Sequence, residues 1–176
     1  MKITVTGFPG SGNSTLARML AKKLNHKFYS AGDMRKKMAI EKGMTIAEFN
    51  KLGETEDWTD KRVDEYLVRI GKKENDFVLD SKIADYLVPE AFKIFLKAKL
   101  EVRAERVLKE KRVSEPFKNL EDAKKFLMKR VRGDKRRYKK YYNYNAYNSK
   151  NFDLVIDTTN LTPEQILVKV MKKIGF

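Results

Sequence analysis

The stretch Gly7-Phe8-Pro9-Gly10-Ser11-Gly12-Asn13-Ser14-Thr15 has the residue types and spacing to hold a phosphate. Its glycines let the backbone bend so that successive N–H groups converge on an anion. Before it lies the short β-branched run Lys2-Ile-Thr-Val-Thr6, and after it Thr15 to Leu24 carries apolar residues at helical spacing. Strand, glycine loop and helix in that order are the context a phosphate-binding loop requires. The helix that begins near Ser14 adds its positive N-terminal end. Ser14 falls where a hydroxyl would ligate a Mg²⁺ bridging two phosphates, with Thr15 behind it. One position departs from the motif G-x-x-x-x-G-K-[ST]. Asn13 stands where lysine brings positive charge to the β- and γ-phosphate oxygens. An asparagine amide donates hydrogen bonds but has no charge. Losing one such group costs on the order of 10²–10³ in rate, so an enzyme built on this loop needs cations from another segment. The alternative reading of the same residues is an ordinary glycine-rich turn between a strand and a helix.

The elements that must position this loop follow from length and pattern. With 176 residues, of which 41% are hydrophobic, the chain is expected to form one domain with a real core and room for a small inserted lid. It has no run of about 18 apolar residues to span a membrane. It enters a strand at Lys2, leaving no room for a secretory signal, so a cytoplasmic protein is expected. The absence of cysteine excludes disulfides and thiolate metal sites. The net charge of +15 implies attraction to polyanions, nucleotides or nucleic acid, unless the lysines merely solvate helix faces.

Lys27 to Ser30 reads as a second strand, followed by a helix that Gly43 stops. Thr45 and Glu48 form a capping box for a short helix through Leu52. A further helix is expected from Thr59 to Ile70, ended by Gly71. Asp76 to Asp80 is a buried-type strand that closes on a carboxylate, and Ala91 to Leu96 is another. Helices are expected from Leu100 to about Lys111 and from Leu120 to about Tyr141. Tyr141 to Asn148 reads as loop, and Phe152 to Ile156 as the last strand. Thr162, Pro163 and Gln165 open the terminal helix. Strands alternating with helices give an α/β domain with a mainly parallel sheet.

Several of these pieces together resemble the archaeal cytidylate kinases, within the nucleoside monophosphate kinase family. The resemblance rests on Gly7 to Thr15, Ser30-Ala-Gly-Asp33, Glu41-Lys-Gly-Met-Thr-Ile-Ala-Glu-Phe49, the pair Asp60 and Asp64, Leu100-Glu-Val-Arg-Ala-Glu-Arg106, Arg137-Tyr138 and Phe152-Asp-Leu-Val-Ile-Asp-Thr158. It spans nearly the whole chain. It implies a P-loop NTPase-like three-layer fold with a helical acceptor-binding segment at about 31–75 and a lid at about 113–138. It also implies transfer of the γ-phosphoryl group of ATP, with Mg²⁺, to CMP or dCMP. The loop residues Gly7, Phe8, Pro9, Gly10, Ser11, Gly12, Asn13, Ser14 and Thr15 would hold ATP, and Ser14 and Asp80 the metal.

Two polyanions must meet in line with water excluded, so lid cations are needed as well. Arg106, Arg130, Arg132, Arg136 and Arg137 are the candidates, and the resemblance favours Arg106, Arg130 and Arg137. Arg103 and Lys109 have no such support. Acceptor-side candidates are Ser30, Asp33, Arg35, Lys36, Asp60, Asp64 and Lys82. Asp64 would accept the cytosine amino group, with Asp60 one helical turn before it, and Ser30 would bond the base or ribose. Asp157 to Thr159 would lie against the adenine.

The acceptor side also departs from the family. Arg35-Lys36 replaces an aromatic residue followed by arginine, and Asp80-Ser81-Lys82 replaces E-G-R. Lysine keeps the charge but loses the guanidinium fork. Two alternatives therefore stand: a nucleotide- or RNA-binding protein of kinase fold that has lost activity, and a small-molecule kinase with a non-nucleotide acceptor. The RNA reading draws on the Tyr- and Asn-rich stretch after Lys139, whose rings could stack bases. His26, the single histidine, lies in a polar turn and has no partner ligands for a metal.

Overall fold

The computed structural model describes residues 1–110 and 117–176. The phosphate-loop strand β1 (Lys2–Gly7) lies at the centre of a five-stranded sheet with order β2-β3-β1-β4-β5. The other strands are β2 (Lys27–Ser30), β3 (Phe77–Asp80), β4 (Phe92–Lys97) and β5 (Leu154–Asp157). Every pairing is parallel, so all the carboxyl ends lie along one edge. The chain runs from β1 outward to β2 and then crosses back through β3 to β4. Ligands of open α/β sheets sit where the strand order reverses in this way, outside the carboxyl ends.

Both faces of the sheet are apolar, as a parallel sheet covered by helices demands. Ile3, Val5, Val78, Ile94, Leu96 and Ile156 pack under α1 (Asn13–Leu24) and α8 (Pro163–Lys173), represented by Leu16, Leu20, Ile166 and Val170. Phe77, Leu79 and Phe95 point to the other face. There they meet residues of α2 (Ala31–Glu41), α3 (Ile46–Leu52), α4 (Trp58–Lys73), α5 (Ala84–Leu87) and the C-terminal half of α7 (Leu120–Tyr142). A third, smaller cluster joins α6 (Leu100–Lys109) to the N-terminal half of α7 through Ala104, Val107, Ala123 and Leu127. Among the described residues no helix is long and apolar enough to cross a membrane.

The capping boxes at Thr45/Glu48 and Thr162/Gln165 form as expected, and Gly43 takes a left-handed φ of 66° after α2. Two expectations need correction. Gly71 does not end α4, which runs on to Lys73. A Cβ at Gly71 would stand 2.9 Å from Val88 Cγ2, so this glycine permits close packing of the helix on the chain after α5. The last strand starts at Leu154 rather than Phe152, whose ring packs on Phe95 with centroids 4.9 Å apart. The short helix α5 was not foreseen. Lys111, the expected end of α6, and residues 113–116 of the expected lid lie outside the described residues; the remaining residues expected there form Phe117–Asn119 and most of α7.

Candidate active site

The site grows from the turn between β1 and α1. Gly7, Gly10 and Gly12 have φ values of 154°, 81° and 95°. At Gly10 a side chain is excluded twice, by that φ and by Arg103 O, which would lie 2.8 Å from a Cβ. The first turn of α1 has no acidic residue and no side-chain cap, so its amide groups stay available to an anion. The walls of the loop are aromatic and cationic. Phe8 stacks on Tyr147, with centroids 4.9 Å apart at 23°. Arg103 lies over the Phe8 ring at 5.0 Å, and its Nη1 donates to Pro9 O at 3.3 Å. Ser11 O accepts from Thr158 Oγ1 at 3.0 Å. The Arg106 guanidinium in turn donates to Thr158 Oγ1 (3.0 Å) and Thr158 O (2.6 Å).

At the carboxyl end of β3, next to β1, Ser14 Oγ donates to Asp80 Oδ2 at 2.5 Å. A hydroxyl and a carboxylate side by side under a phosphate loop suit Mg²⁺, which takes one or two carboxylates and fills its remaining positions with phosphate oxygens and water. Burial pushes the Asp80 carboxyl above its ordinary value, against the pull of Ser14 and Lys82. Asn13 is turned into the loop: Nδ2 donates to Phe8 O at 3.1 Å, and buried Oδ1 has no hydrogen-bond partner among the described residues. Lys82 instead reaches the loop from β3, donating from Nζ to Gly7 O at 2.6 Å, with the Tyr147 ring 5.8 Å away. Burial, reinforced by Arg130, lowers this ammonium to about 8, while Asp134 and Asp80 oppose the shift.

A second cluster lies beside the first. Asp60 is held by Arg35 Nη1 at 2.6 Å and by Arg137 Nε at 3.2 Å. Arg137 Nη2 also pairs with Asp134 Oδ1 at 3.3 Å, and Asp134 Oδ2 accepts from Tyr147 at 2.8 Å. Tyr147 is thus the shared wall between this network and the phosphate loop. Burial raises the Asp60 carboxyl against the opposing pull of the two arginines. Asp64, one turn on, accepts from Tyr142 at 2.6 Å. Burial lifts it to about 7, with Asp60 adding to the rise and the Tyr142 hydrogen bond opposing it.

The remaining candidates fall at the edge of the site. Ser30 caps α2 by accepting from Asp33 N at 3.2 Å, opposite Asp80 in the β2–β3 register. Exposed Asp33 pairs with Arg18 at 2.7 Å and Lys36 at 3.3 Å. Arg132 and Arg136 are exposed, whereas Arg130 lies close enough to act on Lys82. Sequence reasoning set Arg103 aside. Its spacing of three residues from Arg106 on one helix is the signal that could have found it. Asp134 and Tyr147 had no signal at all. Of the tyrosines considered for base stacking, Tyr142 and Tyr144 turn their hydroxyls to Asp64 and Asp85, and Tyr141 turns its hydroxyl to Gly53 O.

Comparison with known proteins bears on family and fold. The sequence profile described as the cytidylate kinase-like family matches residues 2–160. The chain is 34% identical over 169 residues to the cytidylate kinase of Sulfurisphaera tokodaii, covering 94% of this chain and 91% of that one. It is 37% identical over 169 residues to the cytidylate kinase of Haloarcula marismortui, covering 95% and 85%. Among solved structures, shikimate kinase from Bacteroides thetaiotaomicron superposes with a TM-score of 0.69 at 15% identity, covering 100% of this chain and 99% of that one, a likeness of fold.

Proposed function

This chain belongs to the cytidylate kinase-like family, and on that premise we propose that it transfers the γ-phosphoryl group of ATP to CMP or dCMP. A phosphate oxygen of the monophosphate attacks the γ-phosphorus. The bond from that phosphorus to the bridging oxygen of ADP breaks, and ADP leaves with the electron pair. The acceptor phosphate is already anionic near pH 7, since its second pKa is about 6, so no strong base is needed. The work is positioning and charge stabilisation.

The observation that best supports this reading is the pairing of Ser14 with Asp80 beneath the uncapped start of α1. In it the loop amides bind the donor phosphates. Ser14 and Asp80 would hold Mg²⁺, which would supply positive charge to the donor phosphates. Arg103 and Arg106 brace the loop from α6, and Arg130 of α7 lies close enough to act electrostatically on Lys82. On the acceptor side, Asp60 aims Arg35 and Arg137, and Asp64 with Tyr142 offers a polar edge to the base. Residues at about 31–75 would carry the acceptor site, and a lid at about 113–138, which includes most of α7, would close over the donor phosphates.

Asn13 favours one other reading, a nucleotide-binding protein without turnover, because its amide is spent on Phe8 O. An ADP-release assay with MgATP against CMP, dCMP, UMP, AMP and GMP separates the two. Turnover with CMP and dCMP is expected. Silence with all five, from protein that binds ATP, overturns the kinase reading.

A further inference from the structure

The loop lacks its lysine, yet the structure brings a lysine to it. Asn13 cannot take that place, because its side chain is a strut within the loop. Nδ2 is bonded to Phe8 O at 3.1 Å, and Oδ1 presses on Gly7, 2.6 Å from where a Cβ would stand. A parallel sheet offers another route to the same point. β1 and β3 are neighbours in register, with Val5 opposite Asp80, so the residue two beyond Asp80 emerges beside Gly7. Thr6 Oγ1 donates to Ser81 O at 2.7 Å and ties the two strand ends together. Lys82 therefore enters the loop from the side, with Nζ on Gly7 O at 2.6 Å.

We infer that Lys82 supplies the cation that Asn13 does not, binding the β- and γ-phosphate oxygens of ATP rather than clamping the acceptor monophosphate. An ammonium has three rotatable donors. One is occupied by Gly7 O, and the other two remain for phosphate oxygens. The acceptor phosphate is then left to the guanidinium groups of Arg35 and Arg137, whose shared anchor Asp60 is on α4 and not on the loop. Arg103, whose Nη1 donates to Pro9 O at 3.3 Å, brings a further cation to the same loop, whose amides converge on the anion. This inference rests on the phosphoryl-transfer reading above.

The test compares wild type, Lys82→Met, Lys82→Gln, Asn13→Lys and the double variant Asn13→Lys/Lys82→Met. Circular-dichroism melting identifies any variant that fails to fold. Lys82→Met and Lys82→Gln are expected to lower kcat about 10²–10³-fold, to weaken ATP at least about tenfold, and to shift KM for CMP by less than about threefold. The double variant is expected to regain at least tenfold of the lost kcat, and Asn13→Lys alone to be no faster than wild type. A loss carried by KM for CMP, with kcat kept, overturns the inference. So does a double variant no faster than Lys82→Met. The two readings fail separately. If wild type turns over no monophosphate, the reaction is refuted, and calorimetric titration with MgATP still decides the role of Lys82: unchanged affinity in both Lys82 variants overturns it, and weaker affinity supports it.

Discussion

Arg137→Ala tests whether the buried charge network holds the acceptor side together. Arg137 is 19% exposed at its side chain and forms ion pairs with Asp60 at 3.2 Å and Asp134 at 3.3 Å, side chains only 5% and 9% exposed. Removing one partner of a buried ion pair costs roughly 3–5 kcal/mol, because the remaining charge is left desolvated. Here each carboxylate keeps a second partner, Arg35 at 2.6 Å on Asp60 and the Tyr147 hydroxyl at 2.8 Å on Asp134. The cost therefore belongs at the low end, about 3 kcal/mol. For a domain of this size each kcal/mol moves Tm by about 2–4 °C, so a fall of roughly 6–12 °C is expected.

The pH dependence of that fall has a definite sign. Burial already raises the Asp60 carboxyl in the fold, and losing a guanidinium raises it further. A carboxyl whose folded pKa lies above its unfolded value near 3.9 destabilises most when pH is high, and the cost shrinks as pH falls through the folded pKa. The Tm deficit of Arg137→Ala should thus be smaller at pH 5 than at pH 8. Turnover, measured well below Tm, should fall about 10²-fold, as for the loss of a charged donor at a transferring phosphoryl group. An unchanged Tm, or a deficit independent of pH, refutes the network argument. A lowered Tm with unchanged turnover makes Arg137 purely structural and removes it from the phosphate site.

Two further outcomes are expected. Asp80→Asn should leave the unliganded Tm unchanged or higher, because it removes a carboxyl that burial already disfavours, while abolishing most of the Tm increase produced by MgATP; a full MgATP shift in this variant would refute the metal assignment. Asp64 is lifted to about 7, so between the unfolded value near 3.9 and 7 the native state binds more protons than the unfolded one, and stability falls as pH rises through that window. Asp64→Asn should accordingly raise Tm at pH 8 relative to wild type, make little difference at pH 4, and weaken CMP about tenfold; unchanged CMP binding in calorimetry would take the base contact away from Asp64.

What was legible in the sequence was what is decided locally. Thr45 with Glu48, and Thr162 with Pro163 and Gln165, announce their helices because a cap is satisfied within four residues. The strands were visible because a sheet covered on both faces needs apolar runs, and the glycine loop because its conformation depends on its own residues. Gly71 misled, since its reason is Val88, a partner from another segment. The site was legible as a loop and a set of charges, but not as an arrangement. Nothing near Asp64 announces Tyr142, 78 positions away, and nothing near Gly7 announces Lys82, 75 positions away. Asp60 shows the same limit: its spacing from Asp64 suggested a pair facing a base, whereas its partners are arginines on α2 and α7.

The same limit explains how a departure from a sequence motif can leave the chemistry intact. A phosphate site needs positive charge at a place, and a motif records only one way of bringing it there. In a parallel sheet the carboxyl ends of neighbouring strands lie side by side, and adjacent strands are about 4.8 Å apart. A lysine side chain leaving the end of β3 spans that gap easily. Substitution at position 13 is then tolerable only if position 82 is cationic, so the two positions should behave as a coupled pair. The coupling has a measurable form. The effect of Lys82→Met on kcat should be about 10²–10³-fold in the natural Asn13 background and at least about tenfold smaller once lysine stands at 13, a non-additivity of at least about 1.4 kcal/mol in a double-mutant cycle. Equal effects in both backgrounds would mean that the two residues act on different phosphates.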